Sequence, residues 1–494
     1  MAAGDRSRIS RRTFNKATLL GAAALAAPAV HTGRARAQDS ADVIVIGGGL
    51  SGLNAAGILS DAGLSVIVLE GSGRIGGRVW TADETWQTNS GEVPIELGAS
   101  QVGPSYARVR DVIERLEIPT VNEDRKVLPF ASHIAGELIK AEDWPDAPQN
   151  KTVRAEREIQ PVGFGSALIS KFNPLEELDD WFNPRFADYD VSFYDLFKRN
   201  GVSAAGIQLA ANSTDIYGVS ALRLMQEGVR GKLEAEFAGP KDENGKPLEH
   251  WPKNIKGGTV VLPRTMAAHL PNEVRLNQQA AAIEQDADGV EVRCLDGNRY
   301  RARFVISSLP FSLLKDVFIW PRPPEPQIDA IENLTYSETT RAFCNIKAPF
   351  WEEDGFEPSL FSDGAVRMFW TIDNDGGNGT YRGMFVLTNK VGAQVAARPP
   401  EEVEQFLVDE LARIRPSTRG QIEMLKFHSW ERQPFQKGCS PMFSPGQVTA
   451  FANEMILPHG RLHFAGEHTR RLDYGMEAAM ESGERAAFEV LDRA

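Results

Sequence analysis

Cysteine is scarce in this chain: three residues in 494, at Cys294, Cys344 and Cys439. An odd count leaves at least one thiol unpaired within the chain. No Cys-x-x-Cys or His-Glu-x-x-His spacing occurs, so the sequence offers no metal site. An excess of positive charge is missing too. There are 54 Lys+Arg against 67 Asp+Glu, a formal net charge of −13. That balance argues against nucleic acid and anionic membranes as partners, and it mildly favours the approach of cations. Long apolar runs are also absent. The run from Ala17 to Val30 has 14 residues, short of the roughly 20 that span a bilayer, so no membrane span is expected.

That apolar run reads as part of an address. It follows Ser10-Arg11-Arg12-Thr13-Phe14-Asn15-Lys16 and precedes Ala35-Arg36-Ala37, a small-residue cleavage site. A basic region, an apolar region and such a site, in that order, make a secretory signal peptide of residues 1–37. The paired arginines before Thr-Phe resemble the twin-arginine signal. That route carries folded proteins, which suits a chain that binds a large cofactor before leaving the cytoplasm. The expected location is the periplasm or the exterior. The leader holds seven Lys/Arg and one acid, so its removal takes the net charge from −13 to −19.

What remains is ordinary globular material, 42% hydrophobic and 24% charged. A single core rarely grows beyond about 250–300 residues, so at least two domains are expected. Asp42-Val43-Ile44-Val45-Ile46 is a β-rich run, followed at once by Gly47-Gly48-Gly49-Leu50-Ser51-Gly52. A helical stretch to about Ala62 and a second strand from Leu64 to Leu69 come next, ending at Glu70. Strand, glycine turn, helix and strand make the βαβ unit of a doubly wound sheet. Aromatic and acidic Asp180 to Lys198 reads as packed helices and Pro240 to Trp251 as an exposed loop. Val274 to Leu276, Gly289 to Cys294 and Arg303 to Ser307 read as short strands. Phe343 to Ile346, Ala365 to Ile372 and Tyr381 to Leu387 read as another sheet. Pro400 to Ile414 reads as an amphipathic helix with Val403, Phe406, Leu407 and Leu411 on one face.

Gly47, Gly49 and Gly52 match G-x-G-x-x-G. The first permits the tight turn, the second lets the backbone approach a pyrophosphate, and the third lets helix and strand pack closely. Free N–H groups and the dipole of the helix amino terminus then favour phosphates. Glu70 lies 23 residues after Gly47, where a carboxylate accepts hydrogen bonds from ribose hydroxyls. With the strand before it and the acid after it, the turn reads as a dinucleotide site.

Further stretches narrow the dinucleotide to FAD. They are Arg74-Ile75-Gly76-Gly77-Arg78, Glu96-Leu97-Gly98-Ala99-Ser100-Gln101-Val102-Gly103-Pro104, and Phe464-Ala465-Gly466-Glu467-His468-Thr469 with Gly475-Met476-Glu477-Ala478-Ala479-Met480-Glu481-Ser482-Gly483. In these residues the chain resembles the flavin-containing monoamine oxidase family, from about Asp42 to Val490. Gly257-Gly258-Thr259, Ala302 to Pro310 and Ala348-Pro349-Phe350-Trp351 resemble its central segments. The resemblance implies an α/β, two-domain fold. A Rossmann-type FAD domain would come from 42–105, 255–330 and 435–490, and a mixed sheet-and-helix substrate domain from 106–254 and 331–434. The active site would lie at their junction.

The same resemblance implies FAD contacts at Ser51, Glu70, Arg78, Gly98, Ala99, Val274, Trp430, Glu467 and Met476. For Trp430 and Val274, plain core packing is the competing reading. Physically, Gly76 and Gly77 let backbone pass close to a cofactor, and Arg78 places positive charge near a pyrophosphate. A helix starting near Met476 would aim its amino terminus at the flavin pyrimidine, where negative charge collects on reduction. The implied reaction is oxidation of an amine C–N bond by hydride transfer to flavin N5, giving an imine that hydrolyses.

The chain departs from the family where the chemistry lies. A family lysine ten residues before the tryptophan of Phe350-Trp351 falls on Arg341. Arginine keeps the charge but is planar and effectively never deprotonated, so it either holds a water or binds a substrate acid. The aromatics that flank the substrate in amine-acting members fall on Ser440 and Gly475, with Tyr474 one residue early. Without them an aromatic cage around the substrate nitrogen is lost. Ser100-Gln101-Val102 replaces the carboxylate-clamping arginine of amino-acid oxidases. Cys439 sits near the place where some members attach flavin through a thioether, and a noncovalent flavin is the expectation. Arg341, Gln101 and Tyr474 are the candidate catalytic residues. The partners implied are a small-molecule amine and, as electron acceptor, oxygen or a periplasmic cytochrome or quinone. A homodimer is a compatible assembly. The rival chemistries are dehydrogenation of a C–C or C–O bond and oxidation of an L-amino acid.

Overall fold

The β-rich run near the start becomes the strand Asp39–Ile46, whose alternate side chains enter two different cores. Ile44 and Ile46 join one apolar cluster, Val43 and Val45 another, and none is more than 1% exposed. A strand covered on both faces has no use for polar alternation, which accounts for the unbroken hydrophobic run. The computed structural model describes residues 39–89, 91–122, 125–236, 251–373 and 379–494. The leader expected over 1–37 and nearly all of the loop expected over 240–251 lie outside the described residues.

The first strand pairs in parallel with Val66–Leu69, from Val43↔Val66 to Ile46↔Leu69, by way of the helix Leu50–Asp61. The sheet they belong to has seven strands. Its order is 318–320, 280–285, 290–294, 299–307, 39–46, 66–69, with 462–464 parallel to the end of 299–307. Helix Leu50–Asp61 packs on the C-terminal helix Gly475–Leu491 through small residues. A Cβ on Gly483 would lie 2.2 Å from the Ser51 carbonyl oxygen. Ser51 Oγ is 3.1 Å from Ser482 Oγ, and Asn54 Nδ2 donates to the Met480 carbonyl at 2.9 Å.

An eight-stranded sheet runs 422–429, 339–346, 381–388, 368–373, 359–362, 130–134, 137–139, with 126–127 beside 368–373. One face packs on the helix Pro400–Ile414 through Val403, Leu407 and Leu411, all fully buried, with Phe406 at the margin. On the other face Arg341 and His428 are cross-strand partners, with Val386 on the far side of Arg341. His428 stands edge-on to Trp80 and Trp430 at ring distances of 5.3 and 4.5 Å. Both sheets belong to one unit, Ser40–Ala494.

One sequence expectation fails locally. Val274 to Leu276 forms no strand: only Arg275 bridges to Leu69, and the chain turns away at Asn277, which has φ +58°. The helices expected over Asp180 to Lys198 are present but short. The stretch makes two short 3₁₀ turns, Asp180–Phe182 and Pro184–Tyr189, before the helix Phe193–Arg199. Pro184 cannot donate into a preceding turn, and Asn183 caps the next one by accepting from Arg185 N.

Burial, and then the positive charges of Arg74, Arg341 and Lys426, lower the His428 pKa to about 4. In the folded protein the imidazole stays neutral at pH values where the unfolded chain takes up a proton. Stability tied to this group is therefore full above about pH 6.5 and is lost as pH falls towards 4. On moving from pH 7 to pH 4.5, we predict that His428→Gln loses roughly 2 kcal/mol less unfolding free energy than the wild type. Urea unfolding at both pH values checks this; equal losses would contradict it.

Candidate functional site

A cavity of ≈ 600 Å³ has the glycine turn on one wall and Arg341 of the eight-stranded sheet on another. The three fingerprint glycines do different things. Gly47 has φ +110°, and a Cβ on it would lie 2.3 Å from Ser308 Oγ. A Cβ on Gly52 would lie 2.1 Å from the Gly47 carbonyl oxygen. Gly49 has an ordinary φ of −84°, and the nearest atom to its would-be Cβ is Gly77 Cα, 4.0 Å away. Two of the glycines therefore serve the fold, and the third keeps room for a ligand. The helix that follows has no side-chain cap and no acid in its first turn, which leaves its amino-terminal N–H groups for an anion.

Glu70 is 9% exposed at one end of the cavity. Its Oε2 accepts from Gly48 N at 2.7 Å and its Oε1 from Ser72 N at 2.8 Å. Each oxygen keeps lone-pair capacity for a hydroxyl. Arg78 donates to Glu467 Oε2 at 2.7 Å and to the Cys439 carbonyl. Burial opposes the Arg78 charge most, but Glu467, Tyr336 and Cys439 together outweigh it and raise the pKa. Gly98 lets the chain fold against this arginine: a Cβ there would lie 1.9 Å from the Arg78 carbonyl oxygen and 2.9 Å from Trp430 Cζ2. Trp430, 1% exposed, donates from Nε1 to the Leu97 carbonyl at 3.0 Å. It belongs to an apolar cluster and lines the cavity as well. Arg341 Nη1 donates to the Gly98 carbonyl at 3.3 Å, and its buried Nε has no partner.

Gly47, Gly49, Ser51, Glu70, Arg78, Gly98, Ala99, Arg341, Trp430, Glu467 and Met476 all line this one cavity. Four expected site residues do not. Gly52 sits behind the turn. Val274 packs against apolar clusters, and the cavity wall is formed by Gln278 to Ala281 instead. Gln101 precedes Val102, whose backbone pairs with Lys253. Tyr474 donates to Glu234 Oε2 at 3.5 Å, and burial followed by Glu234 pushes its pKa up to about 12. Ser440 and Gly475 line the cavity. Ser308 was not anticipated: its Oγ bonds the Ile46 and Gly47 carbonyls at 2.9 and 3.2 Å and locks the turn. The signal was available, because Ser308 follows a strand that ends level with the turn. All three cysteines are free, and Cys439 lines the cavity. Among the described residues no group of three or more His, Cys, Asp or Glu is arranged to hold a metal ion.

The cavity brings the Glu70 carboxylate and the uncapped amino end of Leu50–Asp61 to one space. Known proteins resemble this chain over most of its length. The family model for flavin containing amine oxidoreductase matches residues 50–491. Flavin-containing amine oxidase B of Homo sapiens is 26% identical over 484 residues, spanning 92% of this chain and 86% of that protein. The Mus musculus enzyme is 25% identical over 483 residues, with the same coverage. A putrescine oxidase redesigned in its cofactor binding superposes with a TM-score of 0.72 at 22% identity, covering 92% of this chain and all of that one. Cyclohexylamine oxidase from Brevibacterium oxydans gives 0.71 at 22% identity, covering 92% and 99%. The chain belongs to the flavin-containing amine oxidoreductase family and is an FAD-dependent oxidoreductase.

Proposed function

We propose that this protein oxidises the C–N bond of an amine after export through the twin-arginine route. The observation that carries the reading is the single cavity joining a ribose-type carboxylate, Glu70, to a wall of Arg341, Trp430 and Gly475. FAD, when bound, supplies the two-electron acceptor, taking hydride from the carbon next to nitrogen. The chain does the rest. Gly49 and the amino end of Leu50–Asp61 hold the pyrophosphate. Glu70 holds the ribose, and the Arg78–Glu467 pair fixes the connecting segment. The amino end of Gly475–Leu491, which lines the cavity, would favour negative charge brought against it.

Arg341 adds positive charge at the reacting end, which disfavours an ammonium ion and selects the neutral amine. The product imine leaves and hydrolyses in water. The acceptor that would restore a bound FAD is oxygen or a periplasmic electron carrier. A second reading, dehydrogenation of a C–C or C–O bond, draws on Ser440 and Gly475 standing where an aromatic cage would be.

Gly49→Val should fold, since the added Cβ comes no closer than 4.0 Å to another residue's atoms, at Gly77 Cα, yet purify colourless; a yellow variant with wild-type flavin content would contradict this. Glu70→Ala should weaken FAD by about tenfold or more, measured by flavin retained on dilution. Anaerobic mixing with primary, secondary and tertiary amines should bleach the flavin, whereas bleaching only by alcohols or saturated carbon acids would favour the second reading. Acid-precipitated protein should give a colourless pellet, and a yellow one would show a thioether at Cys439. Export predicts a periplasmic protein starting after Ala37 that stays in the cytoplasm as Arg11→Lys/Arg12→Lys.

A further inference from the structure

We propose that Arg341 forms an anion subsite at the reacting end of the cavity, and that the amine oxidised here carries a carboxylate. The proposal rests on the amine-oxidase reading and specifies its substrate. It stands on a contrast with four other arginines that are wholly or partly buried. Arg78 has Glu467 at 2.7 Å, Arg223 has Glu227 at 2.9 Å, Arg230 has Asp473 at 2.5 Å and Arg415 has Asp354 at 2.7 Å. Arg341 has no carboxylate within 4.0 Å among the described residues, although it lies on the cavity wall. Among the described residues its one hydrogen bond is the 3.3 Å contact with the Gly98 carbonyl, and Nε is buried without a partner.

Among the described residues no carboxylate within ion-pair distance supplies the missing charge. The cross-strand neighbours are Val386 and His428, the second a neutral imidazole whose buried Nε2 is also without a partner. Arg125, bonded to Ser100 Oγ at 3.5 Å, adds further positive charge. A guanidinium half withdrawn from water and left without an anion is costly. A carboxylate satisfies it with two parallel charge-assisted hydrogen bonds, a geometry that a lysine at this place would not offer.

The test uses holoenzyme and the flavin spectrum. Benzoate and hexanoate should perturb the spectrum saturably, whereas benzamide and hexanamide should not. Arg341→Gln should keep its FAD yet bind benzoate at least about tenfold more weakly, with Arg341→Lys between the two. Under anaerobic conditions, 6-aminohexanoate and 4-(aminomethyl)benzoate should reduce the flavin at concentrations at least about tenfold below those of their amides. Equal binding of acids and amides to the wild type overturns the proposal, and that comparison needs no variant to fold. So does wild-type benzoate binding by Arg341→Gln, or loss of FAD from it, which would assign Arg341 to the cofactor. If amines reduce the flavin with acid and amide alike, the subsite fails and amine oxidation stands. If benzoate binds through Arg341 while no amine reduces the flavin, the subsite stands and its assignment to an amine is overturned.

Discussion

The close approach of Gly52 to the carbonyl of Gly47 governs the nucleotide end of this molecule. With 2.1 Å between a would-be Cβ and that oxygen, no side chain fits without moving the turn. The contact sets the helix Leu50–Asp61 against the strand Asp39–Ile46. It thereby sets the direction of the helix amino terminus and the gap in front of Gly49. Ser308 reinforces it by bonding both carbonyls of the turn. Gly483 then brings the C-terminal helix onto the same element, and the amino end of Gly475–Leu491 comes to the cavity as a consequence.

Charge inside the molecule is arranged in alternation. Glu227 lies 2.9 Å from Arg223 and 3.5 Å from Arg470, while Glu467 lies 4.0 Å from Arg470 and 2.7 Å from Arg78. This chain leads from the helix Ala221–Glu236 to the cavity wall. Buried ions persist when opposite charges and hydrogen bonds satisfy them, and removing one member exposes its neighbour. Arg341 stands outside this pattern, so the positive potential at the reacting end is left for something that enters the cavity.

The nucleotide end was legible because its signals are local. A run of β-branched residues, a turn demanding glycine and a carboxylate at a fixed distance all lie within 42–70. Pro400–Ile414 was legible for a similar reason, since one face of a helix shows its period directly. The failures share a different cause. Val274, Gln101 and Tyr474 were placed by position along a motif, and whether a side chain reaches a cavity depends on elements far away in sequence. Tyr474 turns to Glu234, which lies 240 residues earlier. Gln278 to Ala281 carry no side-chain signature, yet they border the cavity because the chain turns at Asn277. Arg341 was found only by counting from Trp351, and its lack of an anion was visible only once its strand neighbours were known.

The central claim is that one cavity holds a dinucleotide from end to end, with both the ribose carboxylate and the flavin wall engaged. Titration of deflavinated protein with FAD and with FMN, followed by the rise in unfolding temperature, tests it most directly. FAD should bind and raise the unfolding temperature, while FMN, lacking the adenosine monophosphate half assigned by proposal to Glu70 and Gly49, should have little effect. Equal stabilisation by the two, or none by either, would contradict the account.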